Sequence, residues 1–240
     1  MLSRSANRNC RCSWPATNRW DLKFRLRPER LYEILGENGE SELSPRSRRW
    51  AGEAIEMVND VWRPRAVTRT LSVTHSDGEV LIGGFLPIRS RKISRVLQHC
   101  GRVAVFVVTL GAEIDEVIEK ASSRRMCQGT ILDRTASAAA EAAAESVARE
   151  VGRNLRPDEA LTERYSPGYC DWAITEQTKL FELLPDSPVG VKLSDGLQMT
   201  PRKSVSGVIG IGTQEVVEKY GNACSWCNSF SCNFRRGDAS

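Results

Sequence analysis

Residues 102–110, RVAVFVVTL, put a near-continuous apolar run at the middle of the chain. A strand with one wet face alternates apolar and polar side chains, so an unbroken run of this kind belongs to a strand covered on both faces. The fold it predicts is layered, with other elements packed above and below a sheet. Gly111 ends the run, and residues 112–121 follow as a helix with Ile114, Val117 and Ile118 along one side. Upstream, a helix signalled from Ser44-Pro45 carries Trp50, Ala54, Ile55, Val58, Val61 and Trp62 at three- and four-residue spacing until Pro64 stops it. Residues 66–73 (AVTRTLSV) and 79–86 (EVLIGGFL), parted by the turn signal Ser76-Asp77-Gly78, read as antiparallel strands, with a short helix at 90–98.

The longest predicted helix covers residues 127–155 and contains TASAAAEAAAESVARE, in which Glu141 and Glu145 stand one turn apart. Composition alone describes a surface helix of good helix formers, although small side chains also let another backbone or a ligand come close. A helix at 175–184 precedes a stretch, 185–212, that alternates turn residues with two or three short strands. Strands and helices mix without strict β-α-β alternation, so the expected class is α+β, a twisted antiparallel sheet flanked by helices. The 240 residues, 40% of them hydrophobic, suffice for a proper core. Residues 1–19 are polar and irregular and read as a disordered leader, 20–215 as the domain, and 216–240 as a cysteine-containing tail.

Several classes of function are disfavoured. The formal charge is only +4, and the arginines crowded into the first thirty residues read as a solvated tail rather than a nucleic-acid surface. No segment approaches the roughly 18 apolar residues of a membrane span, and no signal peptide is evident, so a cytoplasmic protein is expected. With two histidines, His75 and His99, a three-histidine metal site is excluded, and neither lies near a G-x-S-x-G elbow. The glycine-laced GVIGIGTQE at 207–215 lacks the second strand and distant acidic residue of a dinucleotide-binding unit.

Residues 164–170, RYSPGYC, have a physical logic for an amino-acid-like ligand. Arg164 can hold a carboxylate with two parallel hydrogen bonds, as lysine cannot. Pro167 stiffens the turn, Gly168 lets backbone amides press against a ligand, and Tyr169 can stack on a heterocycle or face a sulfonium.

Together with EQTKLFELL (176–184), GVKLSDGLQMTP (190–201) and SVSG (204–207), this loop resembles the activation domain of cobalamin-dependent methionine synthase. VFVVTLGAEIDEVI and DRTASAAAEAAAESVARE extend the resemblance to about residues 60–212, its second half being the more specific. The resemblance implies S-adenosylmethionine binding in support of reductive remethylation of a corrinoid. Arg164 would hold the methionyl carboxylate, the backbone around Ser166 and Gly168 would contact the ligand, and Tyr169 would line the pocket. The family's acidic residue on the long helix falls on Ser137 in an ungapped comparison, with Glu141 one turn further on as its replacement. No catalytic acid or base is implied. The family's His-Pro pair beyond SVSG is missing, and Tyr220 does not replace the tyrosine that follows that pair. Nor does the sequence contain a cobalamin-binding D-x-H-x-x-G, a homocysteine domain or a folate domain. Cobalamin is therefore expected on a partner, a corrinoid protein or cobalamin-dependent methyltransferase, with electrons from a donor such as flavodoxin.

The tail CSWCNSFSCNFRRG sets Cys224, Cys227 and Cys232 at C-x2-C-x4-C spacing, a ligand pattern for zinc or three corners of an iron-sulfur cluster. The fourth ligand is open between Cys170, Cys10, Cys12 and an exogenous group, while Cys100 and Cys127 lie in apolar surroundings and read as core. A rival expectation follows: a non-enzymatic metal-binding module that docks on a corrinoid protein.

Overall fold

A computed structural model describes residues 17–28, 45–76, 78–185 and 187–226. Its centre is an antiparallel sheet of seven strands: β1 (Thr17–Asp21), β2 (Arg65–Ser76), β3 (Glu79–Ile82), β4 (Leu86–Pro87), β5 (Arg102–Thr109), β6 (Glu159–Tyr165) and, after a small hairpin, β9 (Ser204–Thr213). The order is β4-β3-β2-β5-β9-β6, with β1 paired to the first half of β2. The hairpin, β7 (Lys192–Leu193) with β8 (Met199–Thr200), stands apart from this sheet. Among the described residues the helices are α1 (Pro45–Val61), α2 (Arg91–Leu97), α3 (Glu113–Arg124), α4 (Met126–Gly152), α5 (Gln177–Glu182) and α6 (Gln214–Tyr220). The class is α+β, as the sequence predicts.

β5 does what its apolar run requires. Ala104, Phe106 and Val108 point into one core with α1, α3 and α4, and Val103, Val105 and Val107 point into another with α2 and α5. All six are at most 1% exposed. Burying a valine or phenylalanine in this way stabilises by roughly 1.5–3 kcal/mol each relative to exposure, which makes β5 the anchor of both layers.

The alanine-rich helix corrects the composition-based reading of a surface element. Ala136, Ala138, Ala139, Ala143 and Ala144 of α4 are fully buried, because methyl side chains let the helix lie close against the sheet and its neighbours. The approach is tightest at Gly129, where a Cβ would sit 2.6 Å from the Cα of Ser122 on α3. Two strands lie where no strand was expected. β1 reaches into the supposed leader by Thr17, Asn18 and Arg19, because its polar side chains matter less than the backbone pairing it offers β2. β6 occupies residues with five charged or hydroxyl side chains among seven, EALTERY. The two or three short strands expected over 185–212 are a two-residue hairpin pair and the ten-residue β9. No helix among the described residues is long and apolar enough to cross a membrane.

The candidate ligand site

Arg164 and Tyr165 are the last residues of β6, so RYSPGYC is a strand end followed by a turn, not a loop after a helix. A bulge between Leu161 and Arg164 decides which side chain faces the helix layer. Leu161 opposes Ile211, and unbroken pairing would set Glu163 opposite Ile209; the extra residue puts Arg164 there instead. Thr162 makes the bulge tolerable, its Oγ1 accepting the Gly210 N–H at 2.9 Å.

Facing α4, Arg164 is 8% exposed and donates from Nη2 to Glu141 Oε2 at 2.9 Å, with Glu145 Oε1 at 3.9 Å. Both contacts fall on one arm of the guanidinium fork. The structure thus brings together Arg164 and Glu141, and adds Glu145, whose i+4 spacing from Glu141 was its only sequence signal. One turn nearer the helix start, Lys203 Nζ pairs with Asp133 Oδ1 at 2.7 Å and donates to Ser137 Oγ at 3.0 Å. Sequence reasoning missed this pair; Asp133, Ser137, Glu141 and Glu145 form a stripe at four-residue intervals, and the two cations are set against it in succession.

The backbone beyond Tyr165 closes on itself. Tyr169 N–H donates to Ser166 O at 3.1 Å, Gly168 N–H to Trp172 O at 2.7 Å, and Trp172 N–H to Tyr169 O at 3.0 Å. Gly168 is exposed at φ 96°, a conformation that a side chain would strain, while Ser166 and Tyr169 are half-buried. Gly207, from SVSG, lies beneath this turn: a Cβ there would meet Tyr165 O at 2.5 Å and Ser166 Oγ at 3.0 Å. Ser166 and Gly207 thus need each other's geometry. The other recognised segments hold the frame. In EQTKLFELL, Leu180, Leu183 and Leu184 are buried, Glu176 pairs with Lys179 at 2.8 Å, and Gln177 Nε2 donates to Leu197 O at 3.1 Å in the β7–β8 hairpin.

Asp171, next to Cys170, fastens the turn to α2. Its carboxylate accepts from Ser90 Oγ at 2.5 Å and from Arg91 N–H at 2.9 Å. Burial pushes the Asp171 carboxyl up, but the Ser90, Arg91 and Lys92 donors outweigh it, and its pKa stands below the usual carboxylate value. A depressed folded pKa contributes stability above the unfolded value that is lost as pH falls through the folded one. Asp171→Asn is therefore expected to be less stable than wild type at pH 7, with the gap narrowing below about pH 4 in urea titrations. A gap constant from pH 7 to 3 would contradict this.

Among the cysteines, Cys100 is buried, with its thiol pushed up to about 11 by desolvation, and is a core residue as expected. Cys127 is exposed at the start of α4, beside the equally exposed Met126, which corrects its reading as core. Cys170 is exposed and Cys224 half-buried. Cys227, Cys232, Cys10 and Cys12 lie outside the described residues, and no group of three metal-ligating side chains occurs among the described ones. The motif GVIGIGTQE runs through the central antiparallel strand β9 into the seven-residue α6, which is no phosphate-binding unit. An open groove of about 630 Å3 between α3 and α4 is lined by Asp115, Glu119, Ser122, Asp133 and Arg202, and does not include the Arg164 turn.

Over residues 95–220 the sequence matches the family described as Vitamin B12 dependent methionine synthase, activation domain. Among solved structures the chain is similar to the crystal structure of the MetH reactivation domain bound to AdoHcy, with a TM-score of 0.57 and 16% identity, covering 82% of this chain and 78% of that one. At that identity the likeness is one of fold. No curated protein matches the sequence.

Proposed function

The chain belongs to the vitamin B12-dependent methionine synthase activation-domain family, and from that premise we propose that it binds S-adenosylmethionine and supports reductive remethylation of a corrinoid on a separate protein. The observation that carries this reading is the Arg164–Glu141 ion pair, formed at the end of β6 just ahead of the turn that exposes Gly168. One arm of the guanidinium is held by Glu141, which orients the fork; the other arm meets the ligand's carboxylate. The carboxylates of Glu141 and Glu145 favour the ligand's ammonium and sulfonium charges, and Tyr169 lines the pocket with its ring. Backbone around Ser166 and Gly168 approaches the ligand closely because Gly168 has no side chain.

The chain's contribution is orientation. A sulfonium is already a good leaving group, so no side chain need act as acid or base, and holding the methyl in line with its acceptor supplies the rate. The reduced cobalt of a corrinoid is the acceptor this chemistry requires. Cobalamin is carried by the partner, a corrinoid protein or split cobalamin-dependent methionine synthase, and the electrons come from a flavodoxin-like or iron-sulfur donor.

The test mixes an oxidised corrinoid protein, a low-potential reductant and methyl-labelled S-adenosylmethionine with and without this chain. Label is expected on the corrinoid protein only when the chain is present. Equal labelling without it removes the proposed role.

A further inference from the structure

Two backbone groups at the β6 bulge are held by one buried side chain. Gly210 of β9 stands opposite two residues, Thr162 and Glu163, where regular pairing allows one. A bulge leaves backbone groups without ladder partners, and this one is closed to water, Thr162 being 6% exposed. The Thr162 hydroxyl serves both strands: its Oγ1 accepts the Gly210 N–H at 2.9 Å and donates to Glu163 O at 2.8 Å. It comes this close because Gly210 is bare; a Cβ there would sit 2.8 Å from both Thr162 Cγ2 and Cys100 Sγ, and 3.0 Å from Leu97 Cδ2. Leu97 and Cys100 belong to the core under α2 and α5, so Thr162 works on the face of the sheet opposite α4 and Glu141.

A strand end without the extra residue is inverted. Arg164 then falls opposite Val208, whose side chain lies in the α2 and α5 core, and leaves Glu141 and Glu145 behind. Tyr165 falls opposite Gly207 and loses Gly221 O and the Ala223 N–H, which its buried hydroxyl meets at 3.0 and 2.7 Å. We propose that Thr162 is the positioning residue of the ligand site: its hydroxyl holds the bulge and so keeps the Arg164 fork on the α4 side, while its methyl group only packs. That Arg164 holds a ligand rests on the S-adenosylmethionine reading; that Thr162 directs Arg164 does not.

The experiment uses the full chain with two complementary variants. Thr162→Val keeps the shape but strips the hydroxyl from Gly210 N–H and Glu163 O, and S-adenosylmethionine affinity by calorimetry is expected to fall at least about tenfold. Thr162→Ser keeps the hydroxyl and drops the methyl, so it is expected to melt earlier than wild type yet to restore binding. Wild-type affinity in Thr162→Val, or affinity that tracks melting temperature across the two variants, overturns the proposal. A stability cycle between Thr162→Val and Glu141→Gln, read in urea, needs no ligand and stands even if S-adenosylmethionine does not bind. The two side chains lie on opposite faces of the sheet, so coupling between them runs through the strand that carries Arg164. Glu141→Gln is expected to destabilise the wild type and to destabilise Thr162→Val less than about half as much; equal losses overturn the proposal. Thr162→Ala takes the place of Thr162→Val if that variant does not fold. If neither folds, the hydroxyl belongs to the frame alone and the positioning role is refuted.

Discussion

Phe106→Ala is expected to lower the unfolding free energy by about 3–5 kcal/mol, a large part of the roughly 5–15 kcal/mol that holds a typical domain together. Phe106 is fully buried at the middle of β5, between β2 and β9, and its ring lies against the bare Cα of Gly207. Removing it opens a cavity that cannot collapse, because the alanines of α4 are too short to fill it and Gly207 has no side chain to offer. Urea denaturation should show a lower midpoint with an unchanged slope. A loss under about 1 kcal/mol would mean that the two layers do not depend on β5 as described.

Arg164→Ala has the largest functional effect. It removes the cation between Glu141 and Glu145, leaving two carboxylates one turn apart on α4. Both are about a third exposed, so the stability loss is expected to be about 1–3 kcal/mol, below that for a fully buried pair. The loss of S-adenosylmethionine affinity should be greater, at least about 100-fold, since hydrogen bonds to charged groups contribute about 1.5–3 kcal/mol each. Arg164→Lys separates the two roles: the charge and fold are kept, but the planar fork is lost, and affinity should still fall at least about tenfold. Calorimetry on folded Arg164→Lys with wild-type affinity would assign Arg164 to the frame alone.

The legible parts of the fold were those governed by side-chain pattern. A short, valine-rich apolar run bounded by Gly101 and Gly111 favours a strand buried on both faces, and β5 is one; the α1 stripe from Trp50 to Trp62 and the Gly78 turn announced themselves in the same way. β1 and β6 were missed because edge pairing is made by the backbone, which TNRWD and EALTERY offer regardless of their polar side chains. The burial of α4 was hidden because alanine is equally at home on a surface and against a sheet. At the site, the residue types of RYSPGY were readable, but not the bulge that turns Arg164 rather than Glu163 toward α4. That choice depends on how β6 pairs with β9, which no local pattern records. The Lys203–Asp133 pair was hidden for a similar reason: its partners come from a strand approach and a helix far apart in the chain.

The central claim is that this chain carries an S-adenosylmethionine site at the Arg164 turn. Isothermal titration of S-adenosylmethionine into the wild-type chain tests it most directly. The account predicts saturable one-site binding with a Kd of about 1–100 μM, or about −8 to −5.5 kcal/mol. A wild-type chain that is folded by circular dichroism yet gives no binding heat and no thermal stabilisation at millimolar ligand would contradict it.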